Sequence, residues 1–161
     1  MGFASGYLEE RALFPELIKE APDKDTGIIV VVPAYDEPGI DKLLDSLAVC
    51  KEIPCKVEVL IVVNAPGGAT PASIRNNKLT IENIENWKRV HHSCFFRIYT
   101  ILAEPIPAGG WGVGLARKTG MDEAVRRFNT INKPNVSIVI KNTKGKTMVC
   151  SSHRTTLTNK R

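Results

Sequence analysis

Three short stretches of this chain carry residue types able to do chemistry on a nucleotide. Pro33-Ala34-Tyr35-Asp36-Glu37-Pro38 offers a phenol ring that can lie against a planar base and two carboxylates that can accept from ribose hydroxyls or base N–H groups. Asn64 offers a carboxamide that can both donate to and accept from a base edge. Gly109-Gly110-Trp111-Gly112-Val113-Gly114-Leu115-Ala116-Arg117-Lys118 offers glycines that let backbone approach a phosphate, then a helix start suited to anions, with Arg117 one turn in. Two of the stretches also have a plainer use. Asp-Glu-Pro-Gly suits a helix N-terminus, and Asn ahead of Ala-Pro-Gly-Gly suits a turn. The glycines follow a Gly-x-Gly-x-Gly spacing after the third strand, which excludes a dinucleotide fingerprint.

The elements that must hold these stretches follow from hydrophobic pattern. Ile28–Val32 (IIVVV) and Val57–Val63 (VEVLIVV) are continuous β-branched runs, as expected of strands covered on both faces of a parallel sheet. Phe95–Leu102 and Val136–Ile140 are two further strands. Ile40, Leu43, Leu44 and Leu47 stand at helical spacing, as do Met121, Ala124, Val125 and Phe128 in a helix starting near Leu115. Thr70-Pro71 offers an N-cap and a proline at N1 for a helix reaching Val90, though four asparagines fall within it. Leu8–Glu20 reads as one more helix, with Phe14, Leu17 and Ile18 on its stripe. The order β-α-β-α-β-α-β predicts an open three-layer α/β sandwich with a mostly parallel, Rossmann-like sheet, whose ligands bind beyond the carboxyl ends of the strands.

Composition narrows the class. The chain has 161 residues, 43% hydrophobic and 24% charged, which excludes collagen, wholesale disorder and a disulfide mini-scaffold. Its net charge of +5 is unevenly distributed: residues 1–123 hold 13 Lys and Arg with all 17 acids, whereas residues 124–161 hold 9 Lys and Arg and no acid. The four cysteines, Cys50, Cys55, Cys94 and Cys150, form no CxxC pair and read as free thiols of a reducing compartment. The N-terminus lacks a signal-peptide layout, and Ile28–Val32 is far too short to span a bilayer, so the expectation is a cytoplasmic protein without a transmembrane segment. Adjacent His91 and His92 suit a helix C-terminus better than a metal site. Trp87 and Trp111 suit packing better than stacking, with Trp111 in the glycine loop offering the alternative of shielding a sugar.

Taken together, the stretches resemble the large GT-A family of nucleotide-sugar glycosyltransferases over about Gly27 to Ile140. IIVVVPAYDEPGIDKLLDSL is similar to that family's opening strand, V-P-x-Y-N-E motif and leucine-striped helix. VEVLIVVNAP falls where the family has a second strand ending in a base-reading acid, and GVGLARKTGMDEA is similar to its G-x-x-x-A-R-N-x-G-x-x-x-A segment. The resemblance implies a nucleotide-sugar-binding domain over residues 1–140. Pro33, Ala34, Tyr35 and Glu37 would line the nucleoside pocket, Asn64 would touch the base, and Gly114 and Arg117 would meet the phosphates. It implies transfer of a sugar from a nucleoside-diphosphate donor (a UDP- or GDP-sugar) to a hydroxyl acceptor.

The sequence departs from the pattern in ways that matter chemically. Asp36 stands for the usual Asn, and Asn64 for the usual Asp. The family holds Mg²⁺ or Mn²⁺ with an Asp-x-Asp after its next strand, where this chain has Lys141-Asn142-Thr143-Lys144 and no acid beyond Glu123. Metal ligands and a catalytic base are not seen, so the expectation is a donor-binding half with impaired transfer, leaving Arg117 and Lys118 to meet the phosphate charge. Residues 141–161 read as a basic, weakly ordered tail, and the abrupt loss of acids suggests a shifted reading frame or truncated copy. The alternative is a non-catalytic anion or nucleic-acid binder using that tail, although no aromatic follows Phe128 to stack on bases.

Overall fold

A computed structural model describes residues 2–92, 94–103, 112–143 and 147–151, the last for their backbone path alone. The elements are α1 (Ser5–Arg11), β1 (Thr26–Ala34), α2 (Ile40–Ala48), β2 (Lys56–Asn64), α3 (Pro71–Val90), β3 (Phe96–Ala103), α4 (Val113–Thr130), β4 (Ser137–Lys141) and β5 (Thr147–Ser151). The strands form a single sheet in the order β3-β2-β1-β4-β5, in which β1 through β4 run parallel and β5 lies antiparallel to β4. This is an α/β, Rossmann-like arrangement.

The strand order explains where each helix lies. From β1 to β3 the chain steps outward in one direction, then α4 carries it back across the sheet to the far side of β1. Right-handed crossovers taken in opposite directions put their helices on opposite faces. Accordingly Val30, Val32, Val57, Val59, Ile61 and Val63 pack with Ile40, Leu43, Leu44, Ile84 and Trp87 of α2 and α3. The alternate residues Ile29, Val31, Leu60, Val62, Ile138 and Ile140 pack with Ala116, Ala124 and Phe128 of α4. Both faces of β1 and β2 are thus covered, which is why these strands carry no polar alternation.

Local chemistry sets the helix starts. Thr70 caps α3 as the sequence predicts, its hydroxyl accepting from the Ser73 N–H at 3.1 Å, with Pro71 as the first helical residue. Gly120 lets α4 press directly onto the sheet: a Cβ there would lie 2.3 Å from Cγ1 of Val31 and 3.0 Å from Cγ2 of Val62. At the other end of α4, the guanidinium of Arg127 reaches beneath the sheet to Glu58 of β2. Its Nε donates to Oε2 at 2.5 Å, its Nη2 to Oε1 at 2.9 Å and its Nη1 to the Glu20 carbonyl at 2.8 Å. Both side chains are almost fully buried, and the guanidinium also lies 4.5 Å from the Tyr99 ring centre.

Two expectations are corrected here. The predicted helix over Leu8–Glu20 ends at Arg11, and residues 12–25 continue as a non-helical strap along α4. Pro15 removes a backbone donor and disfavours helical geometry at Phe14. The strap amides find partners instead on α4: Leu13 N–H donates to Asp122, and the Leu17 and Ile18 N–H groups donate to the two Glu123 oxygens at 3.2 and 3.1 Å. Ile18 then enters the core on the α4 side. The second correction concerns residues 141–161. Lys141 closes β4, and Thr147–Ser151 adds a strand beside it, so the sheet continues past the predicted boundary. Residues 152–161 of that segment lie outside the described residues.

No helix among the described residues is long and apolar enough to cross a membrane.

Candidate functional site

The reversal of strand order leaves a crevice between the carboxyl ends of β1 and β4, the place where open α/β sheets bind ligands. A cleft of about 340 Å³ lies there, lined by Pro33, Tyr35, Glu37, Asn64, Pro66, Gly112, Val113, Arg117, Asn142 and Thr143. Residues predicted from three separate stretches therefore meet in one place. The parallel register brings the ends of β1 and β2 level, pairing Ala34 with Val63, so Tyr35 and Asn64 emerge side by side. Pro33 sits beyond the last β1–β4 pair, Val31 with Ile140, where its missing N–H costs no ladder bond on the β4 side.

The wall formed by Tyr35 and Asn64 is bolted to α3 by a hydrogen-bonded clamp. The buried Asn77 carboxamide accepts from the Asp36 N–H at 3.0 Å and donates to the Asn64 carbonyl at 2.9 Å, joining the ends of two strands. The Asp36 carboxylate accepts from the Ser73 hydroxyl and from Asn76 Nδ2, and the Thr80 hydroxyl donates to the Glu37 carbonyl at 2.9 Å. These bonds hold Asp36 at φ +50°, a left-handed conformation uncommon for a residue other than glycine. Asn77→Ala leaves the buried Asn64 carbonyl and the part-buried Asp36 N–H without their partner and is expected to cost about 2 kcal/mol. Urea denaturation measures this, and a cost below about 0.5 kcal/mol sinks the clamp as a structural element.

The opposite wall is the start of α4. Gly112 is its N-cap and contributes no side-chain cap, while its carbonyl accepts from the Leu115 N–H at 3.0 Å. Arg117 reaches the cleft from one turn further on. Its Nε is buried and has no hydrogen-bond partner. Asn64, only 2% exposed, lines the same cleft from the end of β2.

Several predicted residues have other places. Ala34 packs into the core on the α2–α3 side and does not line the cleft. Gly114 is the second residue of α4, exposed and off the lining; Gly112 and Val113 stand there instead. Asp36, read as an acceptor for ribose, spends its carboxylate on α3. Lys118, expected to share the phosphate charge with Arg117, turns the other way. Its Nζ donates to the Tyr7 hydroxyl at 2.8 Å, to the Arg11 carbonyl at 3.0 Å and to Asp122, anchoring α1 on α4. Consecutive helical residues lie about 100° apart, so Arg117 and Lys118 cannot both face the cleft. Gly109, Gly110 and Trp111 lie outside the described residues.

Asn142 and Thr143 were missed as lining residues; their signal was their position directly after the strand that follows the reversal. His91 behaves as a helix C-cap, its ring stacked on Trp87 at 4.0 Å and its Nδ1 3.0 Å from the Trp87 carbonyl oxygen. Trp87 is a packing residue, and its Nε1–H donates to Asp45 at 2.8 Å.

The cleft does not fit the divalent cation that the family resemblance implies. The end of β4 supplies a carboxamide and a hydroxyl, and the one carboxylate on the described lining, Glu37, already accepts from the Gly39 N–H at 3.3 Å. Among the described residues no three His, Cys, Asp or Glu side chains gather to hold a metal. Compared with known proteins, the chain matches no family model, no curated protein and no solved structure.

Proposed function

We propose that the cleft binds the nucleoside diphosphate of a sugar-nucleotide, as the donor-binding half of a GT-A-type glycosyltransferase whose transfer step is impaired in this chain. The observation that carries the reading is the Arg117 guanidinium beside the N-terminus of α4, on the same cleft as Tyr35 and Asn64. A guanidinium offers a diphosphate paired N–H donors in fork geometry. Asn64 offers its carboxamide to a base edge, and Tyr35, 40% exposed, offers a ring face. A hydroxyl acceptor needs a base to take its proton, and Glu37 is the one carboxylate on the described lining.

Calorimetric titration of the chain with UDP-, GDP- and dTDP-sugars tests the reading. One of them is expected to bind in the micromolar range, and Arg117→Ala is expected to weaken it by about tenfold. Unchanged affinity in that variant, or tight salt-sensitive binding of DNA in preference to any sugar-nucleotide, overturns the proposal.

A further inference from the structure

We infer that this cleft takes its nucleotide without a divalent cation, the Arg117 guanidinium and the N-terminus of α4 meeting the phosphate charge directly. The inference rests on the nucleotide reading above and specifies the form of ligand the site accepts. A hard cation bridging two phosphates asks for anionic oxygen ligands at the end of the strand beyond the reversal. Asn142 and Thr143 stand there, and both are neutral. Glu37 comes from the β1–α2 loop and is partnered by the Gly39 N–H. The sequence next to Asn142 and Thr143 carries Lys141, Lys144 and Lys146 and no acid.

The charged side chains on the described lining are Arg117 and Glu37, and Glu37 already accepts from the Gly39 N–H. Arg117 brings a guanidinium to the cleft, and an N-terminal helix dipole adds roughly half a unit of positive charge. Arg117 Nε has no hydrogen-bond partner among the described residues. A dication brought in on the diphosphate lowers the anion's charge and adds a like charge beside the guanidinium. Both effects oppose binding. The expected response to metal therefore has the opposite sign from that of a site built on carboxylates.

The test is titration of the wild-type chain with UDP, GDP and dTDP in EDTA and again in Mn²⁺ sufficient to chelate the nucleotide. Binding is expected in EDTA and to weaken by about threefold or more in Mn²⁺. Asn142→Asp, which returns a carboxylate to the end of β4, is expected to make Mn²⁺ favourable. Mn²⁺ that tightens wild-type binding, or leaves it unchanged, overturns the inference while the nucleotide reading stands. An Asn142→Asp chain in which Mn²⁺ still weakens binding takes the β4 end out of the phosphate site and overturns it too. If no nucleotide binds in either buffer, the nucleotide reading itself falls, and the inference with it.

Discussion

Arg127→Ala is expected to lower folding stability by about 3–5 kcal/mol, a large share of the roughly 5–15 kcal/mol that holds a domain together. The size follows from what is left behind. Glu58 is 1% exposed, on the most deeply buried strand, and Arg127 supplies two of its bonds in fork geometry. Its remaining contact, the Thr26 hydroxyl at 3.4 Å, cannot compensate a buried charge. The Glu20 carbonyl at the end of the strap loses its donor as well. Arg127→Lys does not rescue, because an ammonium cannot reproduce the bidentate fork. Replacing both partners by apolar residues, Glu58→Leu with Arg127→Met, is expected to recover most of the loss, since no unpaired charge then remains. Urea denaturation of the two singles and the double measures the coupling. A single-variant cost below about 1 kcal/mol would falsify the assignment of this pair as the anchor between α4 and β2.

Gly120→Val is expected to cost about 3 kcal/mol, and Gly120→Ala about 1–2 kcal/mol. Helix propensity alone predicts the reverse for alanine, which stabilises a helix interior by about 1 kcal/mol over glycine. The contact decides the sign. A Cβ at 2.3 Å from Val31 Cγ1 is far inside van der Waals distance, and Val31 has no room to retreat in the central strand. Either α4 lifts off the sheet or the strand shifts, and both disturb the registry that puts Arg117 at the cleft. Val31→Ala removes the offending methyls, so the pair Gly120→Ala with Val31→Ala is expected to cost less than the sum of the singles. Additive singles, or a stabilised Gly120→Ala, rule out the close helix–sheet contact. Thermal denaturation resolves the difference, as 1 kcal/mol moves the midpoint of a domain this size by about 2–4 °C.

Legibility in the sequence followed the length scale of the cause. The β1 and β2 runs, IIVVV and VEVLIVV, announce buried parallel strands because β-branched residues without alternation fit only a sheet covered on both sides. The α3 cap is equally local, being a Thr-Pro step. The strap was misread because Phe14, Leu17 and Ile18 do fall on a helical stripe. Asp122 and Glu123, more than a hundred residues away, capture its amides, and no periodicity records that. The cleft lining brings together Tyr35, Glu37, Asn64 and Arg117, which side-chain chemistry marks as candidates and the family resemblance assigns to a nucleotide. Asn77 was not marked, since an asparagine inside a helix carries no local sign that it clamps two strand ends.

The sequence by itself determined the four parallel strands, their α/β order and the residue types available for an anion and a base, because these depend on composition and spacing alone. Tertiary structure decided which of those residues face one another. The reversal of strand order placed the ends of β1 and β4 around a cleft, and the helical angle between Arg117 and Lys118 sent one to the cleft and the other to Tyr7. The Asp36 carboxylate went to α3 rather than to the cleft. Direction in space is a property of packing between distant segments, and a list of residues does not contain it until the sheet has closed.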